Sequence, residues 1–206
     1  ATQGQFNLQS KRPRKMKTAT FKLKGVSPYS QSAIIQTQKE ELTNHEEFEQ
    51  KTWRERMHVD NATGRVFIPP MALKNCLSEC ARFISMSVPG KGKATYTKHF
   101  EAGLLCTDPI DLGIKAEDVK GERLYVPADG RRGSGKRVWR IFPLIHPGWE
   151  ANATVYIMDD TITETVFETH LRRAGQFIGL GRFRPRNNGF YGRFEVSDLA
   201  FEEFVG

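Results

Sequence analysis

From Thr18 the chain alternates with period two: Thr20, Lys22 and Lys24 are polar, Phe21 and Leu23 apolar, and Gly25 and Pro28 end the run. This pattern predicts a half-buried strand. The stretch from Tyr29 to Asn61 that follows holds Glu40, Glu41, Glu46, Glu47 and Glu49 and reads as an insertion outside the core. Arg65 to Ile68 is a short strand, and Pro69-Pro70 opens a helix, since a first helical turn does not need the proline N–H. Leu73, Cys76, Leu77, Cys80 and Ile84 recur at helical spacing and would face a sheet. Pro89-Gly90 closes that helix. Gly and Lys alternate from Gly90 to Lys93, short apolar pieces follow, and residues 90–136 read as an inserted hairpin or thumb. Val138 to Ile145 and Ala151 to Met158, around His146-Pro147-Gly148, predict a hairpin. Thr161 and Glu164 have capping-box spacing. Ile162, Val166, Phe167, Leu171 and Ala174 give a second helix its apolar face, and Gly175 ends it. A loop from Gly179 to Gly189 leads into a last strand, Phe190 to Val196.

Strand, helix, hairpin, helix and strand in that order predict an α+β protein. Its core would be ferredoxin-like or RRM-like (β-α-β-β-α-β), with large insertions at about residues 29–62 and 90–136. Residues 1–16, polar and basic around Pro13, read as a disordered arm, and 17–206 as a single domain.

Charge adds a direction. The formal net charge is +7, and it is segregated. Between Lys11 and Lys24 there are seven basic residues and no acidic one, and from Thr169 to Phe194 six arginines and no acid. A basic face of this kind favours a polyanionic partner. Three cysteines make no disulfide framework, and Cys76 and Cys80 lack a second ligand pair for zinc. Reduced, buried thiols and the want of any long apolar run point to a cytoplasmic protein without a membrane segment.

Gly179-Leu-Gly-Arg-Phe-Arg-Pro-Arg-Asn-Asn-Gly-Phe-Tyr-Gly-Arg-Phe194 carries the chemistry. Its glycines let backbone approach a ligand, and Arg182, Arg184, Arg186 and Arg193 offer bidentate phosphate geometry. Phe183, Phe190 and Tyr191 are candidates for stacking on bases, although alternate residues of the final strand must face the core. A dinucleotide loop would run from strand to helix, and this one runs from helix to strand. Gly130-Arg-Arg-Gly-Ser-Gly-Lys136 has P-loop spacing, but Arg137 stands where Ser or Thr would hold magnesium, and a strand-like run follows. Arg131, Arg132, Lys136 and Arg137 are therefore read as a basic loop touching a nucleic-acid backbone, joined by Lys22 and Lys24 of the first strand.

Ala174-Gly-Gln-Phe-Ile-Gly-Leu-Gly-Arg-Phe-Arg-Pro185, with Gly189-Phe-Tyr-Gly-Arg-Phe194, resembles the glycine-rich loop and last strand of the RAMP superfamily, the RRM-like proteins of CRISPR systems. Thr63-Gly-Arg-Val-Phe-Ile-Pro-Pro-Met-Ala-Leu-Lys74 resembles that superfamily's strand into its first helix, with Pro70 where a glycine is usual. The likeness is greatest to the backbone subunits that coat guide RNA. It implies RNA binding in antiviral defence, a role for Lys74, and assembly as a head-to-tail homo-oligomer or among effector-complex subunits. A phage or plasmid relative coating single-stranded DNA would carry the same signals.

Some relatives cut RNA without metal, which needs a histidine with Lys or Tyr beside the phosphate. Tyr96, Lys98 and His99 are of the right types, and His45 and His58 are further candidates. A target-cutting backbone subunit would place an aspartate after its first strand, and Ser27 to Gln38 holds no acid; Asp60 reads as a turn residue. The expectation is binding of single-stranded RNA or DNA without cleavage, metal or cofactor. An endoribonuclease and a protein-docking inhibitor stay open as alternatives.

Overall fold

The computed structural model of the chain describes residues 15–40, 44–130, 133 and 135–205. Most of the arm expected over residues 1–16 lies outside them. In chain order the strands are β1 (Lys15–Gly25), β2 (Arg65–Ile68), β3 (Leu104–Leu105), β4 (Ile110–Lys115), β5 (Lys120–Pro127), β6 (Arg137–Leu144), β7 (Glu150–Ile157) and β8 (Phe194–Val205). The α-helices are α1 (His45–Thr52), α2 (Pro70–Ile84), α3 (Thr97–Ala102) and α4 (Glu164–Arg173).

β1, β3, β7 and β8 form a four-stranded antiparallel sheet in the order β3-β7-β1-β8. Taken along the chain with α2 and α4, they give β-α-β-β-α-β with the strand order of a ferredoxin-like fold, so the chain is α+β with that core. The alternation in β1 does what it predicts. Ala19, Phe21 and Leu23 are buried opposite Val155, Ala153 and Ala151 of β7, while Lys22 and Lys24 stand on the other face opposite Asn152 and Glu150. Over the buried face lie Leu73, Cys76, Leu77, Cys80 and Ala81 of α2 and Phe167, His170 and Leu171 of α4. The ring of Phe21 meets that of Phe167 at 6.2 Å. Fully burying a side chain of this size contributes about 1.5–3 kcal/mol. The three cysteines are free and buried, and burial pushes the Cys80 and Cys106 thiols up to about 12.

Three expectations are corrected. The run Val138 to Ile145 is not the partner of β7. It forms β6, which pairs along its length with β5 as a separate two-stranded ribbon, from Arg137↔Pro127 to Leu144↔Lys120. Pro143 in that run lacks the N–H a central strand must donate, which confines it to an edge. The place beside β7 is taken by β3, two residues too short to show a period. Nor does the polar stretch from Tyr29 to Asn61 lie wholly outside the core, because Tyr29, Trp53 and Met57 are buried and Glu49 and Arg56 form a buried ion pair at 2.9 Å. The last strand begins at Phe194 rather than Phe190 and runs through a bulge at Asp198, whose φ is 53°. β2 pairs with β4 as a third, small sheet. No described helix is long and apolar enough to cross a membrane.

Candidate nucleic-acid interface

α4 ends in a π turn, Ala174–Ile178, and Gly179 at φ 74° redirects the chain into the glycine-rich loop. The loop is braced from within. Leu180 N–H donates to Gly192 O at 2.9 Å, Tyr191 N–H to Phe183 O at 3.0 Å and Gly189 N–H to Arg184 O at 3.1 Å. Two further bonds tie it to the segment after β1, from Gly192 N–H to Pro28 O at 2.7 Å and from Arg182 N–H to Ser30 O at 2.9 Å. At Gly192 both the φ of 71° and the space demand glycine, for an added Cβ would stand 1.8 Å from Leu180 O. The loop therefore presents its side chains from fixed backbone.

Facing it is the β5–β6 ribbon. Its base is anchored by Glu49 of α1, which accepts from Arg56 at 2.9 and 3.0 Å and from Ile141 N–H at 3.0 Å, while Arg56 also donates to Ile141 O at 3.0 Å. One face of the ribbon meets the loop. The Arg182 guanidinium lies 3.0 Å from the centroid of the Phe142 ring and 4.1 Å from that of Phe183. Tyr191 donates its hydroxyl to Glu122 at 2.8 Å, and burial followed by this carboxylate pushes the phenol up to about 12. Between loop and ribbon opens a cleft of about 750 Å³. Among the described residues that line it, Arg140, Arg182 and Arg186 are basic and none is acidic. Arg140 spends one N–H on Ala128 O at 2.8 Å. Its Nε, and Nη1 of Arg182, are buried with no hydrogen-bond partner. Burial, then the neighbouring charges of Arg56 and Arg140, bring Arg182 down to about 10. The cleft thus gathers three cations, of which Arg186 is also paired with Glu79 from outside the lining and Arg182 feels Glu122.

The other face of the ribbon carries an exposed aromatic pair. Tyr125 and Trp139 are cross-strand partners with ring centroids 5.1 Å apart. Arg123 lies 4.7 Å over the tryptophan and Arg137 5.4 Å over the tyrosine. A pocket of about 240 Å³ separates this ladder from α1.

Of the residues singled out from sequence, Arg182, Phe183 and Arg186 meet in the cleft. Arg184 is drawn to Glu79 of α2 at 2.8 Å, a carboxylate that also takes Arg186 at 3.3 Å. Tyr191 is buried at the loop–ribbon junction rather than offered for stacking, and Phe190 is 60% exposed. Arg137 begins β6 at the ribbon's tip and Lys136 directly precedes it, while Arg131 and Arg132 lie outside the described residues. Lys22 and Lys24 sit on the outer face of the sheet, matched by Glu150 at 3.8 and 3.6 Å, with Asp198 3.4 Å from Lys22. Lys74 donates to the backbone carbonyl of Glu101, and Arg193 borders a separate pocket with Arg172 and Glu195. Sequence reading missed Arg140, Phe142, Tyr125 and Trp139. Arg140, Phe142 and Trp139 stand in β6, which its β-rich pattern assigns to the core sheet, and Tyr125 stands in β5, within the stretch that reads as an inserted thumb.

His99, the candidate base, is held by Asp159 with Nδ1 2.6 Å from Oδ2. Asp159 follows β7, at the end of the sheet away from the glycine-rich loop, which enters β8 beside Gly25. Tyr96 is buried, and Asp60 closes a turn by accepting from Ala62 N–H at 2.8 Å. Among the described residues no group of three or more His, Cys, Asp or Glu is placed to hold a metal ion.

No protein-family model and no curated protein matches the chain. Among solved structures it is similar to a chain in the cryo-electron microscopy structure of the Type III-B Cmr-beta bound to cognate target RNA. The TM-score is 0.55 at 12% sequence identity, and the match covers 91% of this chain and 61% of that one. The likeness is one of fold, and this chain spans under two thirds of its neighbour's length.

Proposed function

We propose that the chain binds single-stranded nucleic acid, RNA first, in the cleft between the glycine-rich loop and the β5–β6 ribbon. It holds the strand without cutting it and acts as a backbone-type subunit, beside further copies or other effector-complex subunits. The observation that carries this reading is the lining of the cleft, where no described residue is acidic and Arg140 and Arg182 keep buried N–H groups without a partner among the described residues. A buried N–H without a partner costs about 1–3 kcal/mol, and a phosphodiester oxygen is the acceptor a guanidinium fits best. Phe183, which lines the cleft with the Arg182 guanidinium 4.1 Å from its ring, suits a splayed base. The fold neighbour belongs to a complex solved with RNA bound, which agrees with RNA as the polymer. The RAMP-like motifs support the same reading.

Of the histidines open to the cutting alternative, His99 pairs with Asp159 at the far end of the sheet from the cleft, His45 lies 3.1 Å from Trp139 O on the other face of the ribbon, and His58 packs on the ring of Phe67.

Photocrosslinking of a 4-thiouridine oligomer, followed by peptide mapping, tests where the strand lies. Adducts are expected in the peptides spanning 120–144 and 179–193. Adducts confined to β1 and β7, around Lys22 and Lys24, would move the interface to the outer sheet face and refute the cleft.

A further inference from the structure

Phe83 and Phe177 are large apolar side chains left 52% and 41% exposed, although Phe177 directly precedes the fully buried Ile178. Phe83 is in the last turn of α2, and Phe177 is in the π turn that follows α4. Their ring centroids are 5.9 Å apart with an interplanar angle of 36°. Such turns recur at functional sites because the extra residue re-aims a side chain. Here it brings Phe177 out beside Phe83.

The pair is continuous with the cleft through one residue. Arg186 lines the cleft, and its guanidinium also lies 5.9 Å from the centroid of the Phe83 ring. Glu79, one helical turn before Phe83, pairs with Arg184 and Arg186 together, so two cations share one carboxylate and the local balance stays positive. A strand leaving the cleft past Arg186 meets two aromatic faces edged by guanidinium.

We propose that Phe83 and Phe177 form a second nucleotide subsite. It is a stacking platform for an unpaired base of the strand whose phosphates occupy the cleft, with Arg186 holding the phosphate between the two. This rests on the cleft reading and extends it by giving the strand a direction, from the ribbon over the glycine-rich loop toward the end of α2. Stacking on aromatic rings needs no hydrogen-bond readout, so the platform accepts any base.

The test uses the full chain and two single-stranded RNAs. One has about four nucleotides, enough for the cleft alone, and the other about twelve with 2-aminopurine near one end. For the double variant Phe83→Leu/Phe177→Leu, which keeps the apolar surface but removes the rings, we expect binding of the long RNA about tenfold weaker. Quenching of 2-aminopurine should be lost, and affinity for the short RNA kept. The variant Phe83→Tyr/Phe177→Tyr should bind and quench like the parent, and the single variant Phe83→Leu, at the more exposed ring, carries the test should the leucine pair fail to fold: it should weaken the long RNA and reduce the quenching, and parent-like behaviour in it would overturn the platform. Unchanged affinity and quenching in the leucine variant, with binding lost on Arg182→Met, would overturn the platform and leave the cleft standing. An altered sedimentation coefficient with unchanged RNA binding would make this face a protein contact and overturn it too. Absence of binding by the parent to either RNA would take down both readings.

Discussion

Changing Arg140 and Arg182 together to Met is expected to weaken binding of single-stranded RNA by about 100-fold or more without lowering the melting temperature. Each charge-assisted hydrogen bond to a phosphate contributes about 1.5–3 kcal/mol, and two of them span about two to four decades in affinity. Methionine keeps an apolar stem, so the rings of Phe142 and Phe183 still have a side chain between them. Stability should hold or rise, because burial and then the neighbouring charges of Arg56 and Arg140 disfavour the charged guanidinium of Arg182 and bring it down to about 10. Fluorescence anisotropy and a thermal melt on the same preparation separate the two effects. Undiminished affinity would show that the strand lies elsewhere. A joint fall in melting temperature and affinity would mean that these arginines support the loop rather than the ligand.

The largest effect on stability belongs to Glu49. Its carboxylate is 5% exposed and accepts two bonds from Arg56 and one from Ile141 N–H, so it joins α1 to the base of the ribbon. Glu49→Ala leaves a buried guanidinium uncompensated and an amide of β6 unpaired. The expected cost is about 3–5 kcal/mol. Urea unfolding should show the midpoint falling with little change in slope. The double variant Glu49→Ala/Arg56→Met should recover much of the loss, since removing both charges leaves neither stranded. A cost under about 1 kcal/mol for the single variant would mean that the ribbon is anchored by other contacts.

Much of the core was legible because its periods are long. The alternation through Phe21 and Leu23 and the helical spacing from Leu73 to Ile84 each had enough residues to declare an element, and with the apolar face of the second helix they give the β-α-β-β-α-β order. The capping-box spacing of Thr161 and Glu164 is corrected: the cap is Thr163, which accepts from Val166 N–H at 3.3 Å, while Thr161 is held in the preceding turn by Asp159. What failed did so for identifiable reasons. Leu104–Leu105 is a core strand of two residues, below the length at which a period exists. Val138 to Ile145 is as β-prone as a core strand, and only Pro143 marks it as belonging to a free ribbon. Glu49 and Arg56 were read as surface because they are charged, and the pairing that lets them be buried is tertiary. In the interface, the glycine-rich loop drew notice by composition, and Arg182, Phe183 and Arg186 do line the cleft. Arg140 and Phe142 come from the facing strand, some forty residues earlier, and nothing local in the sequence says that the two segments meet. The carboxylates that pair with Lys22 and Lys24 of β1, Glu150 and Asp198, are farther still along the chain, so no local pattern in the sequence announces those pairs.

The most direct measurement is a titration of labelled single-stranded RNA, single-stranded DNA and duplex DNA with the intact protein at low and physiological salt. If the cleft holds phosphates through Arg140, Arg182 and Arg186, single strands bind in preference to duplex. The logarithm of the association constant then falls with the logarithm of salt at a slope of about −2, as three neutralised phosphates require. Binding that ignores salt, or duplex bound as well as single strands, would contradict the account.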